Sequence, residues 1–356
     1  MKPIGVALVG CGRISDLHTL GYKNCEDARI VAVCDAKPAR ARQKAREWGV
    51  PKVYSDYEKL LQDPEIDLVE LLVPHHLHCP MTNQAAMAGK HISVQKPMCL
   101  SAAEADLMIE GAAKAGVLLR VYENFVHYAP VVKAKELILK GEIGTPRMLR
   151  MHINTGHSAR GWKIPLDSWA WRFNESKSGG GELVFDHGYH LFSLAYHLMG
   201  QAQRVSAWID RTAVAPGIFV DAPSTIMFQF EKNAAYGVFD IVHTPSIVMD
   251  SKYYSDDDRV EVIGDKGNLF INRYTVRTID LPELMLFKDG RTQPIHVEGV
   301  EWEDSFIAAS RHLVDVLKHG GSPSLDGQTG KAVLQFTLAA QLSARQGREV
   351  DPQTVP

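Results

Sequence analysis

The most constraining feature of the chain is its opening run, IGVALVGCGRIS, followed one strand later by RIVAVCD, which ends at Asp35. Ile4–Val9 is a short apolar run of the kind that fills a buried parallel strand, and Gly10 and Gly12 stand directly after it. In a strand–turn–helix unit the first glycine permits the tight turn. The second lets a pyrophosphate come against the backbone, with a helix N-terminus behind it. The third position of the pattern is Ser15, small enough for close packing of helix on strand. Asp35 stands where an acidic side chain accepts hydrogen bonds from the adenosine ribose, and its charge would repel a 2′-phosphate. The pattern therefore expects NAD rather than NADP, with Arg13 a candidate neighbour of the pyrophosphate. The alternative is a glycine turn with no dinucleotide, in which Asp35 only caps a helix.

Up to about Val121 short apolar runs (Ile4–Val9, Arg29–Cys34, Leu68–Val73, His91–Val94, Leu118–Val121) alternate with helix-period segments closed by Gly49 and Gly116. That alternation predicts a doubly wound parallel sheet with crossover helices. After a helix near Val131–Lys140 the texture changes to longer alternating strands at Arg147–Asn154, Arg204–Arg211, Thr225–Glu231 and Ala235–Val242. Short links between them imply an antiparallel or mixed sheet, and two amphipathic helices, Ser305–Lys318 and Gly330–Arg345, complete an α+β region. The expected fold is thus α/β: a Rossmann domain over 1–123 and an α+β domain over 124–356.

Composition narrows the partners. A net charge of −3 offers no basic field for a phosphate backbone, so nucleic acid is not expected. No apolar stretch long enough to span a membrane occurs, and no charged segment with a long apolar run opens the chain, so neither a membrane nor a secretory route is expected. The five cysteines (Cys11, Cys25, Cys34, Cys79, Cys99) are odd in number and form no CxxC pair, which reads as reduced thiols of a cytoplasmic protein.

Two further patterns carry chemistry. Gln95, Lys96 and Pro97 follow the strand HISV, placing Lys96 at the carboxyl end of a sheet strand, where ligands bind in open α/β sheets. A lysine there can stabilise the developing alkoxide of a substrate hydroxyl; a plain surface lysine is the alternative. The second pattern is SGGGELVFDHGYH, in which Asp186 and His190 are spaced i,i+4 and would share one helical face. A histidine can take a hydroxyl proton as hydride leaves the carbon, with a carboxylate orienting the ring. Gly179–Gly181 would let backbone approach cofactor or substrate. Trp162, Trp169, Trp171 and Arg172 combine ring faces with a charged donor, which suits a sugar or polyol and equally suits a core or interface.

With these residues together, the chain resembles the Gfo/Idh/MocA oxidoreductases over its whole length. The resemblance is carried by GCGRI with His18, the Pro74–His78 turn, Lys96–Pro97, Glu123–Asn124, the glycine run with Asp186 and His190, and LDGQTGKAVL near the end. It implies that Lys96, Asp186 and His190 act at the reacting carbon, with His190 as proton acceptor. It also implies that Gly10, Gly12, Arg13, Ile14, Asp35, Pro74, His75, His78, Gln95, Lys96 and Asn124 hold the cofactor. The resemblance further implies that the second domain, with a large open and mostly antiparallel sheet, binds substrate and mediates a homodimer or homotetramer, and Trp171, Arg172 and His187 are expected to join the catalytic three at the substrate.

The chain departs from the common pattern at Gln95, where Glu is usual, and at His75, His127 and His187. Gln95 would lie near the nicotinamide ribose and removes a charge there while keeping hydrogen-bonding capacity. The histidines, with His152 and His157, match no metal-ligand spacing, so no metal is expected and sugar hydrogen bonding or structural roles are preferred. The reading that results is an NAD-dependent dehydrogenase acting on a secondary hydroxyl of a sugar, sugar derivative or cyclitol. Two alternatives stay open: a redox-neutral glycosidase or epimerase that oxidises a sugar transiently, and a non-catalytic NAD-binding regulator.

Overall fold

The computed structural model describes residues 2–163 and 169–356. Residues 164–168, inside the Trp162–Arg172 segment, lie outside the described residues. The chain forms two compact units, one made of Met1–Asn124, Ser176–Gly179 and Phe306–Leu334, the other of Phe125–Glu175, Gly180–Ser305 and Gln335–Pro356. A single cut at 123/124 therefore misses two returns to the first unit.

The first unit carries six parallel strands: β1 (Ile4–Val9), β2 (Ala28–Cys34), β3 (Lys52–Tyr54), β4 (Leu68–Leu71), β5 (His91–Gln95) and β6 (Leu119–Tyr122). Their order is β3-β2-β1-β4-β5-β6. The order reverses direction between β1 and β4, which opens a crevice beyond their carboxyl ends. Strands β1 and β4 are buried nearly throughout, and in β1 the apolar run GVALV suits a sheet covered on both faces. Helix α1 (Ser15–Tyr22) follows β1. Helix α2 (Pro38–Trp48) follows β2, starts at a proline that needs no N–H partner and ends at Gly49 in the left-handed region. Helices α3 (Tyr57–Leu61), α4 (His78–Met87) and α5 (Ala102–Ala115) complete the crossovers.

Helix α6 (Ala129–Leu139) opens the second unit, whose strands are β7 (Pro146–His157), β8 (Ala202–Ile209), β9 (Thr212–Ala215), β10 (Ile218–Val220), β11 (Ser224–Phe230), β12 (Tyr236–Val248), β13 (Asp256–Gly264), β14 (Gly267–Ile271), β15 (Leu284–Lys288) and β16 (Arg291–Pro294). Eight of them form one sheet in the order β16-β15-β14-β13-β7-β12-β11-β8, and β9 pairs with β10 apart from it. Among the described residues β12 and β7 run parallel, while the sheet's other neighbours are antiparallel. One face buries Leu149, Ile153, Ile226, Phe239 and Val262. Helix α7 (Tyr189–Met199) belongs to the same core, where Phe192 meets Phe239 and Phe336 at ring distances of 5.5 and 4.8 Å. Helices α8 (Trp302–His319) and α9 (Gly327–Gln346) end the fold. Among the described residues no helix is long and apolar enough to cross a membrane.

Candidate active site

In the first unit the turn after β1 is drawn together by Asp35 at the end of β2. Its Oδ2 accepts the Cys11 N–H at 2.9 Å and its Oδ1 the Lys37 N–H at 2.8 Å, while Arg40 Nη1 stands 3.7 Å from Oδ2. Gly10 takes φ +98°, and a Cβ there would lie 2.2 Å from the Leu72 carbonyl oxygen, so glycine is required. Gly12 differs, because a Cβ there would meet nothing within 4 Å. The turn therefore leaves open space in front of Gly12, where α1 begins. Ser15 Oγ donates to the Gly12 carbonyl at 2.5 Å. Ile14 stands at the N-cap position of α1 without a side-chain cap, and half-exposed Arg13 pairs with Asp16 at 3.6 Å.

The Pro74 turn and the Lys96 segment are brought together by one buried ring. His78 Nε2 lies 2.9 Å from the Val73 carbonyl oxygen and its Nδ1 2.9 Å from that of Pro97. His78 is wholly buried, so it braces these loops from behind. Neighbouring His75 turns its Nδ1 to the Ser178 carbonyl at 2.8 Å. Asn124 is likewise buried at the end of this unit. Lys96 is half-buried, following β5. Gln95 departs from expectation: its Oε1 accepts the Lys96 N–H at 2.7 Å and its Nε2 stands 2.9 Å from His18 Nε2. Its amide is thus engaged by the protein's own groups.

In the second unit the segment Glu182–His187 is a π-helical turn rather than the start of a regular α-helix, and α7 begins only after Gly188. Of the pair read from the sequence at i,i+4, Asp186 therefore stands in the π-turn and His190 in the first turn of α7. Asp186 is buried, and its Oδ2 accepts from Arg172 Nε at 2.7 Å. Arg172 also lies 4.6 Å over the Trp171 ring, so this arginine and this ring face meet each other. Burial opposes the Arg172 charge, but the Asp186 carboxylate, with Tyr254 and Glu182 beside it, outweighs burial and holds the guanidinium pKa above its ordinary value. His190 is buried, with its ring stacked 4.1 Å from that of Phe125, which Tyr274 backs at 4.7 Å. His187 lies between two carboxylates of β13, with Nδ1 3.5 Å from Asp256 Oδ2 and Nε2 3.3 Å from Asp258 Oδ1. Trp162 packs on Tyr253, Tyr254 and Trp302.

The glycine run also has a different reason from the one expected. A Cβ on Gly180 would lie 1.9 Å from Gln341 Nε2, and one on Gly181 would lie 1.9 Å from Asp221 Oδ2. These glycines admit the protein's own side chains. Asp221, which the sequence reading missed, accepts the Leu183 and Val184 N–H groups at 2.7 Å each and so caps the π-turn from 37 and 38 residues away. Burial raises its pKa more than those N–H groups lower it. Glu182 was also missed. Burial, reinforced by Asp186 and Asp221 and opposed by Arg172, pushes its carboxyl up to about 8.

Comparison with known proteins adds the following. The family model for Gfo/Idh/MocA oxidoreductases with an NAD-binding Rossmann fold matches residues 4–123, and that for the GFO/IDH/MocA C-terminal domain matches residues 131–270. The chain is 28% identical to a myo-inositol 2-dehydrogenase of Thermotoga maritima, covering 97% of each chain. It is 29% identical to a D-apiose dehydrogenase of Paraburkholderia graminis, covering 97% of this chain and 88% of the relative. A crystal structure of a probable dehydrogenase from Thermotoga maritima superposes with a TM-score of 0.79 at 26% identity, covering 99% of this chain and all of the other.

Proposed function

Because the chain belongs to the Gfo/Idh/MocA oxidoreductase family, we propose that it is an NAD-dependent dehydrogenase acting on a secondary hydroxyl of a sugar, sugar derivative or cyclitol. The observation that carries this reading is the turn at Gly10–Gly12, held by Asp35 and open in front of Gly12, at the switch point of the parallel sheet. The residues present fit a dinucleotide. Each oxygen of an ionised carboxylate has more than one acceptor site, so Asp35 keeps capacity for ribose hydroxyls beyond Cys11 and Lys37. Its charge disfavours a 2′-phosphate. Ile14, Pro74, His75 and Asn124 complete the cofactor side, with Arg13 beside the pyrophosphate, and His78 and Gln95 act by shaping it.

When bound, NAD supplies the acceptor for the hydride that leaves the carbinol carbon. Lys96 holds the substrate oxygen with its ammonium and stabilises the negative charge that develops there. His190 takes the hydroxyl proton, its ring held by stacking on Phe125. Asp186, fixed by Arg172, sets the charge around the substrate, with Trp171 and His187 at the margin. In the reducing direction the same groups return the proton.

The test is a panel of hexoses, pentoses, anhydrosugars and cyclitols assayed for NADH formation with protein freed of bound nucleotide. At least one member is expected to be oxidised, with Lys96→Ala and His190→Ala each lowering kcat by roughly 10²–10⁴-fold. A silent panel, or variants as active as the parent, would overturn the reading.

Two further parts of the proposal concern setting. The outer face of the large sheet exposes Trp208, Met227 and Phe287, with Met227 paired in register to Ser206 and Val238, which supports a homodimer or homotetramer built on that face. Trp208→Glu is expected to shift the assembly to smaller species on size-exclusion chromatography. The five free cysteines support a reducing, cytoplasmic setting.

A further inference from the structure

Strand β4 reads LVEL, and its one charged residue, Glu70, is wholly buried in the middle of the parallel sheet. A carboxylate there carries a large desolvation cost, so what it binds matters. Glu70 Oε1 takes the Nδ1 side of His18, which is itself wholly buried on α1, and Oε2 accepts from the Tyr22 hydroxyl. Arg120 on β6 is buried as well. Its Nε donates to Ser93 Oγ at 3.0 Å and its Nη1 to the Ala309 carbonyl at 2.6 Å, and its guanidinium lies 4.7 Å over the Tyr122 ring. That ring in turn meets His18 at 4.0 Å.

The direction of each hydrogen bond in this group follows from the Lys96 N–H, which can only donate. Gln95 Oε1 accepts it at 2.7 Å, and this turns the Gln95 NH₂ to His18 Nε2, 2.9 Å away. Nε2 is then the acceptor, and the His18 proton sits on Nδ1, facing Glu70. We propose that Glu70, His18 and Gln95 form a positioning chain for Lys96, in which the buried carboxylate fixes the His18 tautomer, the tautomer fixes the amide, and the amide pins the Lys96 backbone. Without Glu70, His18 is free to carry its proton on Nε2. The Gln95 amide then reverses and sets its NH₂ against the Lys96 N–H, two donors face to face.

The inference rests on the reading of Lys96 as the group that holds the substrate oxygen. It is tested with the best substrate of the panel by comparing Glu70→Leu, Glu70→Gln, Gln95→Met and the double variant Glu70→Leu/Gln95→Met, each checked for folding by circular dichroism and thermal melting. Glu70→Leu and Gln95→Met are each expected to lower kcat by roughly tenfold, and in Glu70→Leu the KM for NAD should change by less than about threefold, because the lysine is misplaced while the dinucleotide turn is untouched. Glu70→Gln keeps an acceptor for His18 and is expected to restore most of kcat. The double variant is expected to be no worse than the poorer single, since both cut one chain. Losses that multiply in the double variant, a Glu70→Gln variant as impaired as Glu70→Leu, or parental kcat in folded Gln95→Met would overturn the proposal. The last readout stands even if Glu70→Leu fails to fold, because Gln95 is half-buried. Parental kcat in Lys96→Ala would instead overturn the catalytic reading of the lysine itself.

Discussion

Two glycine clusters in this chain look alike in sequence and are built for opposite reasons. At Gly10–Gly12 the turn is tightened by Asp35, and the space in front of Gly12 is empty of protein within 4 Å. At Gly180–Gly181 the space is taken by Gln341 and Asp221. Backbone conformation does not distinguish Gly12 from Gly181, since Gly181 has φ −72° and ψ 156°, which any residue adopts, and Gly12 is not among the positive-φ glycines. What differs is the occupant. The first cluster keeps room for a ligand, and the second lets a carboxylate reach the N-terminus of a π-turn that would otherwise leave N–H groups unsatisfied.

The largest expected effect follows from that capping. Asp221→Ala strips the acceptor from the buried Leu183 and Val184 N–H groups, at a cost of about 2–4 kcal/mol, read as a lower midpoint in urea. Gly181→Ala should cost about 1–3 kcal/mol by driving a methyl group into the same carboxylate. The two are coupled. In an Asp221→Ala background the Gly181→Ala cost should largely vanish, and full additivity would break the account of why that glycine is there.

At the other cluster the same substitution should act on binding alone. Gly12→Ala meets no protein atom within 4 Å, so its melting temperature is expected to match the parent or rise slightly. Its dissociation constant for NAD, measured by calorimetry, should weaken by roughly tenfold or more, because the methyl group stands where the pyrophosphate must approach. A Gly12→Ala variant that is unstable yet binds NAD normally would erase the contrast between the clusters.

How much of this was legible in the sequence depended on whether the signal was local. Strands β1 and β2, the turn between β1 and α1, and the acid at Asp35 were readable because apolar runs, glycine and a terminal acid stand within one βαβ unit. The second unit's sheet was readable as a class from its alternating strands. The long-range partnerships were not. Asp221 lies 38 residues beyond Leu183, and no period links them. An amphipathic pattern over Ser305–Lys318 says that one face is buried, but not that Tyr122 would donate to the Phe306 carbonyl and Arg120 to that of Ala309, placing Phe306–Leu334 in the first unit. Glu70 was a missed opportunity, since a lone charge inside LVELL must be paired if the strand is buried on both faces.

The smallest predicted effect sharpens the second cluster by its charge. Glu182 begins the π-turn, and burial, with Asp186 and Asp221 near it, pushes its carboxyl up to about 8, above the value it has when unfolded. The folded chain therefore binds more protons than the unfolded chain between about pH 4.5 and 8, and stability must fall as pH rises through that window. Glu182→Gln replaces the neutral acid with a group that does not titrate. It should match the parent near pH 4 and exceed it by at least about 1 kcal/mol at pH 8, one pKa unit being worth about that much. Urea unfolding of both proteins across the window measures the difference directly. A gap that stays constant with pH would mean that Glu182 is ionised in the folded chain, and that Arg172 outweighs the burial and the two neighbouring aspartates.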